Sequence, residues 1–304
     1  MNLEKNVDLN TWNELLKNST QSNIFSNYIY LELLEKKFSN YVLTEKNKPI
    51  VGAIIFEDEL TNIPTFYNSL LIDNKINSPH EIESKISQFL ENLDKYEKKI
   101  QIRSHYSLQD IRSFLWFNYH ETESSKKFKT LPRYTAVLDL ENKTSKDVLS
   151  GINSSRRQEV RKAKKKNCIS EISLDIEAFD YLNNLTYIKT RKRNELESFM
   201  IDKITKKSIK SGLGTLMLTK DKNNKPVAGS FFLHDKSASY YLLGGHEKNE
   251  ESQGAAALNI IDHINYCLEK NQKKIDFVGA NSPNRGYFKT SFGADLKLYF
   301  ELLK

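Results

Sequence analysis

The chain has 304 residues, of which 38% are hydrophobic, 11% aromatic and 28% charged, enough for packed globular cores and long enough to expect two domains rather than one. Its 46 basic and 39 acidic residues leave a net charge of +7, an excess that attracts phosphorylated, nucleic-acid or anionic membrane partners. Two cysteines, Cys168 and Cys267, are too few for a disulfide framework or a four-cysteine zinc site. Residues 1–9 show no basic segment leading into an apolar run, and no stretch of about 18 apolar residues occurs, so a cytoplasmic chain is expected.

In chain order, Trp12 to Leu16 and Ile24 to Tyr28 open the first half, with a helix expected to run to Phe38. A strand at Tyr41 to Thr44 precedes Asn47-Lys48-Pro49-Ile50-Val51-Gly52-Ala53-Ile54-Ile55-Phe56, a proline turn entering a buried strand. Strand Pro64 to Leu71, helix Pro79 to Tyr96, strand Lys98 to Arg103, short helix Leu108 to Phe114 and strand Tyr134 to Leu140 follow. The second half repeats the order. Its echo of the proline turn is Asn224-Lys225-Pro226-Val227-Ala228-Gly229-Ser230-Phe231-Phe232-Leu233, preceded by strand Gly214 to Thr219 and followed by strand Ser239 to Gly244. Helix Gly254 to Lys270, strand Lys273 to Val278, helix Arg285 to Phe292 and strand Leu296 to Leu302 complete it. A ten-residue echo at a turn is weak alone, but the matching order of elements around it points to an internal duplication. The join lies near residues 142–151, giving domains 1–141 and 142–304.

The last thirty residues carry the most chemistry. Lys274-Ile275-Asp276-Phe277-Val278-Gly279 leads, through a loop with Pro283, into Asn284-Arg285-Gly286-Tyr287-Phe288-Lys289-Thr290-Ser291-Phe292-Gly293-Ala294. This resembles the C-terminal signature of the Fem-type branch of the GNAT acyltransferase superfamily, enzymes that attach amino acids or acyl groups to amines of cell-envelope precursors. The resemblance covers nearly the whole chain and implies an α/β (α+β) fold of two tandem GNAT-like domains, each a mixed, mainly antiparallel sheet flanked by helices. Many Fem transferases insert a long helical-hairpin arm in the second half, and no segment here is long enough for one. The shorter acyltransferases of the branch, which often use acyl-CoA rather than charged tRNA, are the nearer match.

A second strong feature is the basic run Ser154-Ser155-Arg156-Arg157-Gln158-Glu159-Val160-Arg161-Lys162-Ala163-Lys164-Lys165-Lys166, with seven basic residues in the eleven positions from Arg156. Read functionally, Arg156 and Arg157 belong to a cationic helix that holds phosphates of coenzyme A, tRNA or a nucleotide sugar. Read plainly, it is a solvated face. The same charge suits contact with an anionic membrane at its inner face, although the helix lacks a strong apolar side.

Acyl transfer needs a donor of hydrogen bonds to the oxyanion, and the resemblance implies backbone N–H groups where the fourth and fifth strands of the domain part. Gly244-Gly245-His246 ends that fourth strand, so Gly245 and His246 are candidates. It also needs an anion cradle at a helix start, where Ser252-Gln253-Gly254-Ala255-Ala256-Ala257 offers Gln253, Gly254 and Ala255. That sequence departs from the fuller glycine-rich loop of acetyl-CoA users and leaves a CoA-type or aminoacyl donor open. The resemblance further implies that Lys289 stabilises the tetrahedral intermediate, that Phe288 contacts the donor, and that Arg193, in Thr190-Arg191-Lys192-Arg193, meets acceptor phosphates. The family's N-terminal phosphate-binding lysine has no clear equivalent, since Lys36 and Lys37 are out of register. His246, Glu247 and Asp276 are positional candidates for a base, and none is compelling. No Gly-x-Ser-x-Gly elbow occurs, neither cysteine has a neighbouring histidine in sequence, and the six histidines show no ligand spacing, so nucleophilic catalysis and a metal are not expected.

The resulting expectation is an acyltransferase with no permanently bound cofactor. It moves an acyl or aminoacyl group from acyl-CoA or aminoacyl-tRNA to an amine of a cell-envelope or glycan precursor, with no DNA partner. The second domain binds donor, and the first is structural or acceptor-binding. The rival readings are a noncatalytic GNAT-scaffold partner and an RNA-binding protein.

Overall fold

In a computed structural model, which describes residues 1–68, 70–190, 198–247, 249–250 and 252–304, the chain divides into two compact units. Unit one is Met1–Tyr134 with Lys297–Lys304, and unit two is Thr135–Leu296. No helix among the described residues is long and apolar enough to cross a membrane.

Unit one contains β1 (Asn2–Lys5), α1 (Leu9–Lys17), α2 (Tyr28–Leu33), β2 (Phe38–Glu45), β3 (Lys48–Phe56), β4 (Leu70–Ile72), α3 (Pro79–Leu93), β5 (Gln101–Arg103), α4 (Arg112–Trp116) and the start of β6 (Lys129–Asp139). Strands β1 to β4 form an antiparallel meander in sequence order. The opening helix is shorter than expected. It ends at Leu33, Glu35 takes a left-handed φ of 50°, and Phe38 already stands in β2 opposite Phe56. The expected strand Pro64 to Leu71 is ordered as strand only at Leu70–Ile72. Helix α3 buries Ile86, Phe89, Leu90 and Leu93, one stripe at three and four spacing, each side chain contributing about 1.5–3 kcal/mol.

Unit two continues β6 and adds α5 (Ser145–Gly151), α6 (Ser154–Lys165), β7 (Ile169–Ile172), α7 (Ile176–Thr190), α8 (Ser198–Lys210), β8 (Gly214–Lys220), β9 (Pro226–His234), β10 (Ala238–His246), α9 (Ala255–Glu269), β11 (Lys274–Asp276) and α10 (Pro283–Thr290). Its strands lie in the order β6-β11-β10-β9-β8-β7, antiparallel except for the parallel β10–β11 pair. The proline-turn echo has a shared backbone cause. Asn47 and Asn224 both take left-handed φ values, 61° and 63°, which asparagine tolerates and which turn each chain into its buried strand.

The chain's end behaves differently from its place in sequence. Strand β12 (Asp295–Leu303) pairs with β5, Glu301 opposite Arg103, and from Lys297 onward it belongs to unit one. Leu302 packs into the cluster of Ile100, Ile102, Phe117 and Phe128. Glu301 bridges Arg103 at 2.9 Å and Arg133 at 2.8 Å. Burial works against that carboxylate's charge, but the two guanidinium groups hold its pKa below the usual range. The units therefore divide at Tyr134 rather than near Asn142, and the end of the chain lies with the first of them.

Candidate active site in the second unit

Strands β10 and β11 pair only from Ala238 with Lys274 to Tyr240 with Asp276. Beyond that point β10 stays with β9, passing a bulge between Tyr241 and Leu243, while the chain after β11 stays with β6 through Phe277 N–H to Ala136 O at 2.8 Å. The parting is held open by a left-handed turn. Val278 has φ 39° and Gly279 φ 53°, and for a β-branched residue such backbone costs about 1–3 kcal/mol. Asp276, fully buried, sustains the turn by accepting the Val278 N–H at 2.9 Å and the Thr135 hydroxyl.

Lys289 closes the mouth of this gap. Its side chain is 7% exposed, and Nζ donates to Val278 O and, at 2.9 Å, to Gly279 O. The same atom lies 5.7 Å from the centre of the Tyr241 ring on β10. Burial, then the nearby Arg285 charge, pulls its pKa from 10.5 to about 7, with Asp276 opposing. Phe288 sits one residue earlier on α10 and lines a cavity of about 440 Å³. Its other described walls include Arg156, Glu159, His246, Ser252 and Gln253.

The helix start on this cavity is built from small residues for steric reasons. Gly254, the N-cap of α9, has φ 88°, and a Cβ there would overlap the backbone carbonyl of Glu159 on α6. It offers no side-chain cap, no acidic residue follows in the first turn, and Ala256 and Ala257 line the cavity. Such a helix end favours an anion. Ala255 instead packs with Val227 and Ala228.

Arg156 enters the cavity from α6 and is only 9% exposed. Its Nε donates to Ser291 Oγ at 3.1 Å, its Nη1 pairs with Glu159, and its guanidinium lies 5.0 Å from the Phe288 ring centre and 5.5 Å from that of Phe292. Arg157 points elsewhere, donating to Leu149 O at 3.3 Å and Ser150 O at 3.1 Å, where it caps the end of α5.

The structure thus brings Arg156, Phe288, Gln253, Gly254 and His246 together at one cavity. Lys289 follows Phe288 in sequence, and its side chain turns to Tyr241 and the Val278 and Gly279 carbonyls rather than forming a wall of that cavity. It does not bring Gly245 there. A Cβ on Gly245 would overlap the Leu182 carbonyl of α7, so this glycine lets a helix lie against the sheet. Arg193 lies outside the described residues. Glu247, which pairs with Lys225 at 2.8 Å and accepts from Asn249 at 2.7 Å, is committed to its loop. Sequence reasoning missed Glu159 and Tyr241. The first was legible as an acid three residues after Arg156 on a helix.

Cys267 does have a histidine nearby. His263, one turn earlier on α9, places Nε2 at 3.3 Å from Sγ and 2.9 Å from Ser239 Oγ. All three are fully buried, burial pushes the thiol up to about 12, and it holds His263 well below its usual value. A neutral thiol sealed in a core is no nucleophile.

The chain is similar over its length to solved structures. It covers 99% of itself and 97% of FemX at a TM-score of 0.73 and 13% identity. For L-PGS from Bacillus licheniformis the coverage is 98% and 92%, at TM-score 0.56 and 12% identity. A tandem GNAT protein from the clavulanic acid biosynthesis pathway matches at 0.55 and 8% identity, over 99% and 98% of the two chains. This chain has the tandem GNAT fold. By sequence, neither a protein-family model nor a curated protein matches it. In this fold the parting of β10 from β11 and the start of α9 occupy the second GNAT unit, so the cavity and Lys289 lie at one end of that unit's sheet.

Proposed function

We propose that this protein is a GNAT-type acyltransferase that moves an acyl or aminoacyl group from a CoA thioester or an aminoacyl-tRNA to an amine of a cell-envelope or glycan precursor, by direct attack. The observation that carries the reading is a buried lysine held at the parting of two strands, one residue after the Phe288 that lines a cavity ending on an uncapped helix start. A carbonyl placed in the parting has β10 backbone N–H groups and Lys289 within its surroundings, and developing negative charge there is what such donors stabilise. The anionic arm of the donor meets the start of α9 and Arg156. Similarity to FemX supports an aminoacyl or acyl group as the cargo, and similarity to a tandem GNAT protein supports a CoA donor. On this reading unit two binds donor, unit one is structural or acceptor-binding, and the protein works in the cytoplasm or at the inner face of the membrane.

The test is a transfer assay with a panel of CoA thioesters and aminoacyl-tRNAs against amine acceptors, read by mass spectrometry. Lys289→Ala is expected to cut the rate by about 10²–10³-fold while leaving donor affinity within a few-fold. Transfer that continues at full rate in Lys289→Ala would place the chemistry elsewhere. Stabilisation by RNA with no transfer from any donor would favour the RNA-binding reading instead.

A further inference from the structure

We propose that Lys289 carries the proton of the transfer, taking it from the attacking amine and handing it to the departing sulfur or oxygen of the donor. This deepens the acyl-transfer reading and rests on it. A lysine nitrogen has three positions besides its Cε. Two of them are N–H bonds directed at Val278 O and Gly279 O, carbonyls turned toward it by consecutive left-handed residues. The third is the one position not committed to the turn, and it holds either a proton or a lone pair.

Two of the other carboxylates near the site are committed elsewhere. Asp276, on β11, is fully buried and occupied by Thr135 and the Val278 N–H. Glu247 is tied to Lys225 and Asn249. The charged or titratable groups facing Lys289 are Arg285 on its own helix, Asp276 on β11 and Tyr241 on β10. Burial and Arg285 disfavour the ammonium more than Asp276 favours it, so a pKa of about 7 leaves the amine poised between its two states near neutral pH.

The balance is complete without a co-reactant. As the neutral acceptor amine bonds to the donor carbonyl carbon, its proton passes to Nζ, and an ammonium appears beside the new oxyanion. As the carbonyl re-forms, the C–S or C–O bond breaks, the leaving atom takes the electron pair, and Nζ returns the proton to it. The products are an amide and a free thiol or hydroxyl, and Lys289 ends as it began. The cation is thus present when the oxyanion needs it.

Lys289→Arg separates this from a purely electrostatic role, because arginine keeps the charge and cannot release a proton. The pH dependence of kcat/KM is measured for the unaltered protein, Lys289→Arg, and Lys289→Ala with and without trimethylamine, which accepts a proton and cannot be acylated to a stable product. The expected result is an acidic limb near pH 7 in the unaltered protein, at least a 100-fold loss and no such limb in Lys289→Arg, and partial rescue of Lys289→Ala by the added amine. An arginine variant within about fivefold of the unaltered protein, with the limb intact, would overturn the proton role and leave the acyl-transfer reading standing, since general acid–base steps contribute far more than that. No product from the unaltered protein with any donor would remove that reading and this proposal together. In the resting protein, a ¹³Cε-lysine resonance absent from folded Lys289→Arg should titrate near 7; a midpoint at the ordinary 10.5 would overturn the proposal whatever the assay gave.

Discussion

The two units carry the same helix after their fourth meander strand, and they begin it in opposite ways. In unit one, Ser78 caps α3 by accepting the Glu81 N–H at 3.2 Å, Pro79 occupies the first turn, and Glu81 adds a carboxylate there. The partial positive charge of that helix end is met by the chain's own groups. In unit two, Gly254 and three alanines leave the end of α9 without a side-chain cap or an acid, and the 440 Å³ cavity opens on it. Net charge divides the same way. Unit one has 19 basic and 19 acidic residues and unit two has 27 and 20, so the whole excess lies in the unit with the open helix end. The segment after the following strand also differs. In unit one Arg112 is spent on Asp110, with Nη2 at 2.6 Å, whereas in unit two Lys289 is buried against two carbonyls. The two units share an order of elements, and the self-capped helix start of one sets off the helix start that the other leaves open.

The hardest way to break this contrast is at Gly254. Valine there meets both a left-handed backbone and the Glu159 carbonyl, and the backbone alone costs about 1–3 kcal/mol. Gly254→Val should lower the melting temperature by several degrees and abolish donor binding by calorimetry. An unchanged melting temperature would mean that α6 is free to move away from α9. A gentler change copies unit one into unit two. Ala256→Glu puts a carboxylate in the first turn of α9, as Glu81 does in α3, so donor affinity should fall about tenfold with stability unchanged or raised. Equal donor affinity in this variant would remove the helix end from the binding site.

Acid should also tell the units apart. In unit two, burial lowers His234 to about 4 and His263 well below its usual value, so both are neutral when folded. The unfolded chain then binds more protons, and this contribution to stability, complete above about pH 6.5, declines as the pH falls toward 4. In unit one the depressed carboxylate of Glu301 has the same preference for the deprotonated form, but its window lies at lower pH. Its contribution persists until the pH drops below the ordinary glutamate range near 4.5. Both tryptophans, Trp12 and Trp116, lie in unit one, so their fluorescence reports that unit while far-ultraviolet circular dichroism reports both. Between pH 6.5 and 5 the dichroism melting temperature should fall, and His234→Gln should reduce its slope. A slope unaffected by that substitution would mean that His234 titrates normally.

The order of elements was legible because turns and buried strands leave local marks: Asn47 and Asn224 announce left-handed turns, and the apolar runs behind them announce strands. The destination of β12 was not, since Leu296 to Leu302 reads as a strand whichever partner it finds; Leu302 and Glu301 decide it through Ile102, Arg103 and Arg133. At the site, Lys289, Phe288 and the small residues around Gly254 stood out by motif and composition. Their physical meaning did not, because the burial of Lys289 depends on two left-handed residues ten and eleven positions away. Gly245 illustrates the converse. A glycine at a strand end signals close approach, and sequence does not say whether a ligand or a helix approaches; here it is α7.

The smallest expected effect is the one that discriminates between donors. Arg161, Lys162, Lys164 and Lys165 are exposed on α6, so replacing Lys162 and Lys165 by glutamine should change stability by no more than about 0.5 kcal/mol. If the donor is a charged tRNA whose phosphates reach this face, each lost cation should lower the slope of log affinity against log salt by about 0.7–0.9. A CoA thioester held at Gly254 and Arg156 has too few phosphates to span α6 as well, and its salt dependence should not move. A changed slope with an unchanged melting temperature would therefore assign the charge excess of unit two to a polyanion. An unchanged slope would confine anion recognition to Arg156 and the start of α9, and make the lysine run a solvated face.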